Sequence, residues 1–193
     1  MENFVIKNPT VLHFGKNVIN NLPKIAKHYG NKAFLISGKG SIFKNGVYDN
    51  IIEQLGLAGV KFVEYRGIKP NPVSDDVDRA AEVGRVANVD FIIAAGGGSV
   101  IDSAKMISIA MPVNHSVWDF YEKNIKPVKA LPLITVLTVA ATGTEMNCFA
   151  VLQNNRTMQK EGFSHSLLYP KHSFADPCYT FSLSKPQTAY GIV

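Results

Sequence analysis

Asp90-Phe-Ile-Ile-Ala-Ala-Gly96-Gly-Gly-Ser99-Val-Ile-Asp-Ser-Ala-Lys105 is the stretch on which the reading of this 193-residue chain turns. A compact apolar run enters three consecutive glycines and a serine, and Ile101, Ala104, Ile107 and Met111 then recur at helical spacing. Strand, glycine turn and helix make up the first part of a βαβ unit. Glycines at such a turn let the backbone approach an anion without Cβ clashes. The helix N-terminus behind them offers unpaired N–H groups and a positive partial charge. A pyrophosphate suits that corner. The bland alternative is a tight turn that binds nothing, although three glycines exceed what a turn requires.

Outward from this unit the same alternation repeats. Ala33–Ser37 reads as a buried strand running into Gly38-Lys39-Gly40-Ser41, with a helix following to about Leu55. Val60–Tyr65 is a second strand and Lys69-Pro-Asn-Pro72 a loop; Ser74 then caps a helix whose first turn carries Asp75, Asp76 and Asp78. Leu133–Thr138 is a further strand beyond Asp90–Ala95. Strands separated by helical spans of this length imply parallel crossovers, hence an α/β fold with a Rossmann-like, doubly wound parallel sheet. Ligands in such sheets bind at the carboxyl ends of the strands, where glycine, serine or threonine stands after three of these four.

The two ends read differently. Phe4–Phe14, broken at Asn8-Pro9, predicts an N-terminal β-hairpin. Past residue 147, Ala150–Gln153 and Ser166–Tyr169 read as antiparallel strands with Asn154-Asn155 as their turn, and Asp176-Pro177 breaks the chain. Ser184-Lys-Pro-Gln187 is a capping box that opens a helix running to Val193. The organisation predicted is a dinucleotide-type α/β domain over residues 1–183, with 184–193 beginning an element that leads elsewhere.

Composition narrows the function. With 46% hydrophobic and 18% charged residues, the chain buries a sizeable core. Its net charge of +5 is scattered, without a run of five like charges or an aromatic-interleaved basic patch, which favours a phosphate-bearing small molecule over nucleic acid. No stretch reaches the ~20 apolar residues of a membrane helix, and the N-terminus lacks the features of a signal peptide. A cytoplasmic protein is expected, with Cys148 and Cys178 as free thiols.

At the second turn, an acid that would take a ribose 2′-OH is missing; Gly38 and Lys39 stand there, which favours a 2′-phosphate and so NADP(H) over NAD(H). Ala141-Thr142-Gly143-Thr144-Glu145 is either a hydroxyl-rich loop at the ligand edge or simply a capped helix start. Asp102 and Lys105 are either an i, i+3 surface pair or reach the site. His13, His28, His115, His165 and His172 show no metal-binding spacing.

The run from Gly96 to Lys105 resembles the GGGSxxDxAK signature of the iron-containing (group III) alcohol dehydrogenases. The order of Asn8-Pro-Thr with His13-Phe-Gly15, Pro70-Asn-Pro72, Leu137-Thr138 through Thr142-Gly-Thr-Glu145, Lys160 and Asp176-Pro177 extends it along the chain. With Gly38 in place of an acid, the resemblance is to the NADPH-dependent butanol dehydrogenase and aldehyde reductase branch. It implies that Gly96, Gly97, Gly98 and Ser99 hold the pyrophosphate, and that Gly38, Lys39, Ser41 and Asn71 face the adenosine ribose phosphate. Thr138 and Thr142 would line the adenine and ribose side. Lys160 and Leu183 would close on the nicotinamide half, with Asp102 near its end. Phe149 and Trp118 are looser candidates for a substrate pocket.

The family's metal is held by an Asp and three His, and that Asp follows a Gly-Ile/Val-Val stretch where this sequence has Gly191-Ile-Val193. The resemblance therefore implies no metal ligand and no catalytic residue within these residues, and a helical C-terminal domain lying outside them. Fe2+ or Zn2+ is expected only in a full-length protein, which would act on a small alcohol or aldehyde, as a homo-oligomer. The 193 residues alone would bind NADPH without activity, since the loss of a Lewis acid costs roughly a thousandfold or more in rate. The rival readings are a free-standing dinucleotide-binding module and a relative of glycerol dehydrogenase or dehydroquinate synthase.

Overall fold

The computed structural model describes residues 3, 5 and 7–190. Six parallel strands form one sheet: β1 (Val11–Phe14), β2 (Lys32–Gly38), β3 (Lys61–Ile68), β4 (Phe91–Gly96), β5 (Leu133–Leu137) and, after a hairpin described below, β8 (His172–Ala175). Their order is β1-β8-β5-β4-β2-β3. Helices α1 (Leu22–Tyr29) and α2 (Val47–Leu57) cover one face, while α3 (Ser74–Val86) and α4 (Gly98–Ala110) cover the other.

Alternation along the strands builds both layers. Phe34, Ile36, Ile92 and Ala94 point to α3 and α4; Ala33, Leu35, Phe91, Ile93 and Ala95 point to α1 and α2. Strands covered on both faces must be apolar throughout, and β4 and β5 are buried at every residue. The chain leaves β2 toward β3 on one side and returns to β4 on the other. The carboxyl ends of β2 and β4 therefore frame a topological switch point, where such sheets open a crevice.

The α/β reading stands, and several local readings need correction. Val11–Phe14 pairs parallel with β8, His13 opposite Phe174, and among the described residues no strand precedes it to complete the predicted hairpin. Of the preceding run, Phe4 and Ile6 lie outside the described residues. Ser74 is not a cap, because α3 starts on it, Val73 takes the cap position, and its buried Oγ has no partner. Asp78 serves a different purpose from the helix dipole. Its carboxylate accepts from Val117 N and Ser116 Oγ, both at 2.7 Å, and so anchors the segment after α4.

The antiparallel pair comprises β6 (Phe149–Asn154) and β7 (Gln159–Ser164), whereas Ser166–Leu168 is a 3-10 turn. The turn covers residues 155–158, so it includes Asn155 while Asn154 ends β6, and polar Gln159-Lys-Glu161 supplies a solvated outer strand. Gln153 N donates to Pro72 O at 2.8 Å, tying this hairpin to the loop between β3 and α3. A four-residue helix, α5 (Asp119–Glu122), packs beside the hairpin through Phe120, Tyr121 and Phe163. The last described helix, α6 (Lys185–Tyr190), begins just after Ser184.

Candidate functional site

A cleft of about 400 Å³ opens at the switch point, lined by Lys39, Ile68, Pro70, Gly97, Gly98, Ser99, Val100 and Val139. Each parallel strand of this half of the sheet contributes the residues that follow it. Gly97 is the N-cap of α4 in extended conformation, and no side chain caps the helix. The helix start, with its uncapped amides and positive dipole end, therefore faces the cleft at Gly98 and Ser99.

The three glycines have separate causes. A Cβ on Gly96 would lie 2.6 Å from Val100 Cγ2, so packing of α4 onto β4 excludes one there. At Gly98 it would meet Thr142 Oγ1 at 3.0 Å, and at Gly97 it would meet Val139 Cβ at 3.3 Å. The loop after β5 thus lies directly over the corner. Thr138 N donates to Gly96 O at 3.1 Å, fixing that loop where it leaves the sheet. Gly38, by contrast, has only ordinary contacts, the nearest at 3.7 Å, so its lack of a side chain keeps the end of β2 open rather than relieving a clash.

Of the residues singled out from the sequence, Lys39, Gly97, Gly98 and Ser99 line the cleft, with Gly96, Gly38, Thr138 and Thr142 immediately behind or above it. Ser41 is exposed at the start of a 3-10 turn after β2. Asn71 and Lys160, far apart in sequence, meet: Lys160 Nζ donates to Asn71 Oδ1 at 2.8 Å. Asn71 holds a left-handed backbone (φ 58°), a conformation asparagine tolerates. Leu183 is half-buried after the Pro177–Thr180 turn and is not among the cleft-lining residues. Trp118 is buried, stacked on Tyr121 with its Nε1 donating to Glu122, and belongs to the core rather than to a substrate pocket. Phe149 is exposed at the start of β6.

Asp102 and Lys105 are not a surface pair. Asp102 accepts from Thr144 Oγ1 at 2.6 Å and from Val151 N at 3.1 Å; burial raises its pKa, while these bonds and Lys105 oppose the rise. Lys105 is fully enclosed, and burial pulls its pKa down to about 8 against the opposing effect of Asp102. Spacing alone could not show this, because both residues answer to a segment 39 to 49 positions downstream, from Thr144 to Val151. The cleft walls Ile68 and Val139 are likewise illegible as isolated apolar residues, and Pro70 stands out only as part of the Pro70-Asn-Pro72 motif.

The model of the family described as iron-containing alcohol dehydrogenase matches residues 9–177. The chain belongs to that family. It is 43% identical over its whole length to a probable NADH-dependent butanol dehydrogenase of Bacillus subtilis, of which it covers 50%. It is 36% identical to the NADPH-dependent aldehyde reductase YqhD of Escherichia coli, again over all of this chain and 50% of the relative. Among solved structures, the NADH-dependent butanol dehydrogenase A of Thermotoga maritima superposes with a TM-score of 0.94 at 44% identity, covering 99% of this chain and 48% of that one. The chain thus spans about half the length of these relatives.

The family name implies iron, and the described residues can be tested against it. Among them no group of three or more His, Cys, Asp or Glu side chains is placed to hold a metal ion. His13 and His172 face each other with Nε2 and Nδ1 3.0 Å apart, so each nitrogen occupies the other's binding direction. Among the described residues the donor set does not fit an iron site. Cys148 and Cys178 are free, and no described helix is long and apolar enough to cross a membrane.

Proposed function

We propose that this chain is the nucleotide-binding part of a metal-dependent alcohol dehydrogenase or aldehyde reductase that passes hydride between NADP(H) and a small alcohol or aldehyde. One observation carries the reading: the uncapped start of α4 and the Gly97–Ser99 backbone face a cleft of about 400 Å³ at the switch point of a parallel sheet. In this reading Gly97, Gly98 and Ser99 take the diphosphate, while Thr138 and Thr142 form the side carried by the loop after β5. Lys39, Ser41, Gly38 and Asn71 take the adenosine ribose. Lys160, with Asp102 and Leu183, bounds the nicotinamide half.

Preference for NADP(H) is supported by the cation Lys39 and the missing carboxylate at the end of β2. Relatives named for NADH and for NADPH both match the chain, so their names do not decide it. The 193 residues are proposed to bind nucleotide without turnover and without stoichiometric metal. The intact enzyme is proposed as a cytoplasmic homo-oligomer, with Val11, Leu12 and Phe14 exposed on the open edge of the sheet as a surface for association. Fluorescence titration with NADPH and NADH tests the assignment: tighter binding of NADPH is expected. Equal or reversed affinities remove the 2′-phosphate argument, and no binding of either removes the nucleotide site.

A further inference from the structure

Lys105 is 0% exposed, and its ammonium has three N–H groups to place. Four oxygens surround Nζ: Phe149 O at 2.7 Å, Thr144 Oγ1 and Asn147 O at 2.8 Å, and Asn147 Oδ1 at 3.0 Å. All four belong to the segment after β5 and none to α4 itself. Because the ammonium can only donate, Thr144 must accept from it and send its own O–H elsewhere. The acceptor is Asp102 Oδ1, at 2.6 Å.

The hold then passes to the cleft. Asn147 Nδ2 donates to Gly143 O at 3.1 Å, and Gly143 adjoins Thr142, which roofs Gly98. Helix α4 therefore grips, from its second turn, the loop that covers its own N-terminus. A buried charge is costly unless its partners are well placed, so this arrangement asks more of the fold than loop closure alone requires.

We propose that Thr144, its hydroxyl aimed at Asp102 by Lys105, is a positioning residue that sets the height of the Val139–Gly143 loop over the Gly97–Gly98 corner and thereby sets dinucleotide affinity. This rests on the cleft being a dinucleotide site. Removing the hydroxyl leaves Lys105 three acceptors for its three N–H groups but deprives Asp102 of its shortest donor. The charged and titratable groups that interact with Asp102 are Lys105 on α4 and Tyr121 on α5; Glu161 on β7 acts on Tyr121, and Glu145 and Cys148 beside Thr144 act on Lys105. All of them stay in place when Thr144 alone is changed.

The test compares T144V, which keeps the shape, with T144S, which keeps the hydroxyl. NADPH binding by T144V is expected to weaken about tenfold, and T144S to stay within about twofold of the parent. With its donor gone, Asp102 titrates higher, so the loss of binding on acidification should begin at a higher pH in T144V than in T144S. Parental affinity and pH profile in T144V overturn the proposal, as does T144S binding as weakly as T144V. If T144V does not fold, hydrogen exchange of the parent decides: the Val151 amide, which donates to Asp102 Oδ2, is expected to slow on adding NADPH, and an unchanged rate overturns the clamp. A parent that binds no nucleotide at any pH removes the site itself; a parent that binds and a T144V that binds equally remove only the clamp.

Discussion

The β4–α4 unit and the β1–β8 seam are both parallel strand structures of one sheet, yet they are made in opposite ways. Strand β4 is buried at every residue, and α4 follows it after a single turn, folding back on it so closely that Gly96 cannot carry a side chain. Strands β1 and β8 meet across 160 residues of chain, expose Val11, Leu12 and Phe14, and are joined on one face by the His13–His172 contact, with His13 also stacked on Phe174. The first unit is specified locally and held by burial. The second exists only because the rest of the sheet brings its strands together.

The contrast is broken most strongly by truncation in the core. Phe91→Ala in β4 should destabilise by about 3–5 kcal/mol in chemical denaturation, whereas Phe14→Ala in β1 should fall within about 0.5 kcal/mol, since Phe91 is 0% and Phe14 72% exposed. Comparable losses at the two positions would mean that the edge is covered in solution. Next in size is Gly96→Ala, expected to cost about 1–3 kcal/mol because its Cβ meets Val100 at 2.6 Å. Gly38→Ala, with nothing nearer than 3.7 Å, should leave stability nearly unchanged, and equal melting temperatures for the two variants would refute the packing account.

The two regions should also differ in their response to pH. Burial lowers the Lys105 pKa from 10.5 to about 8, so between those values the unfolded chain keeps a proton that the folded one has released. The cost of the buried charge is fully present below pH 8, and stability rises as pH goes from about 8 to 10.5. Thermal melts of the parent should gain on those of K105M across that window; a constant difference would show that Lys105 does not titrate there. The seam responds in acid. Burial lowers the pKa of His13 and His172, and the charges of His13 and His28 lower His172 further. Protons favour the unfolded chain here, so this stability is lost as pH falls through the ordinary value of 6.5. Protection factors of the Val11–Phe14 amides, corrected for the intrinsic pH dependence of exchange, should fall below about pH 6, while those of β4 stay high.

How much could be read from residues alone follows the same division. Strands β2, β4 and β5 announce themselves because parallel strands covered on both faces are continuous apolar runs. The turn at Gly96–Ser99 is equally plain, as is the direction in which the site must open. Strand β8 is illegible because His172-Ser-Phe-Ala175 carries no such run, and a short apolar segment after Asn-Pro gives no hint that β1 has a parallel partner about 160 residues away. The motif marks Asp102 and Lys105, but their burial depends on Thr144, Asn147 and Phe149 folding over them.

Sequence by itself determined the α/β class, the edge of the sheet that carries the site and the glycine corner within it, since these follow from local periodicity and from conformations that only glycine permits. Tertiary structure alone decided which strand lies beside which, what covers the corner, and that a lysine on the helix behind it is enclosed. Those outcomes depend on contacts between distant segments, and no local pattern of residues encodes the partner of a hydrogen bond that closes only when the sheet is complete.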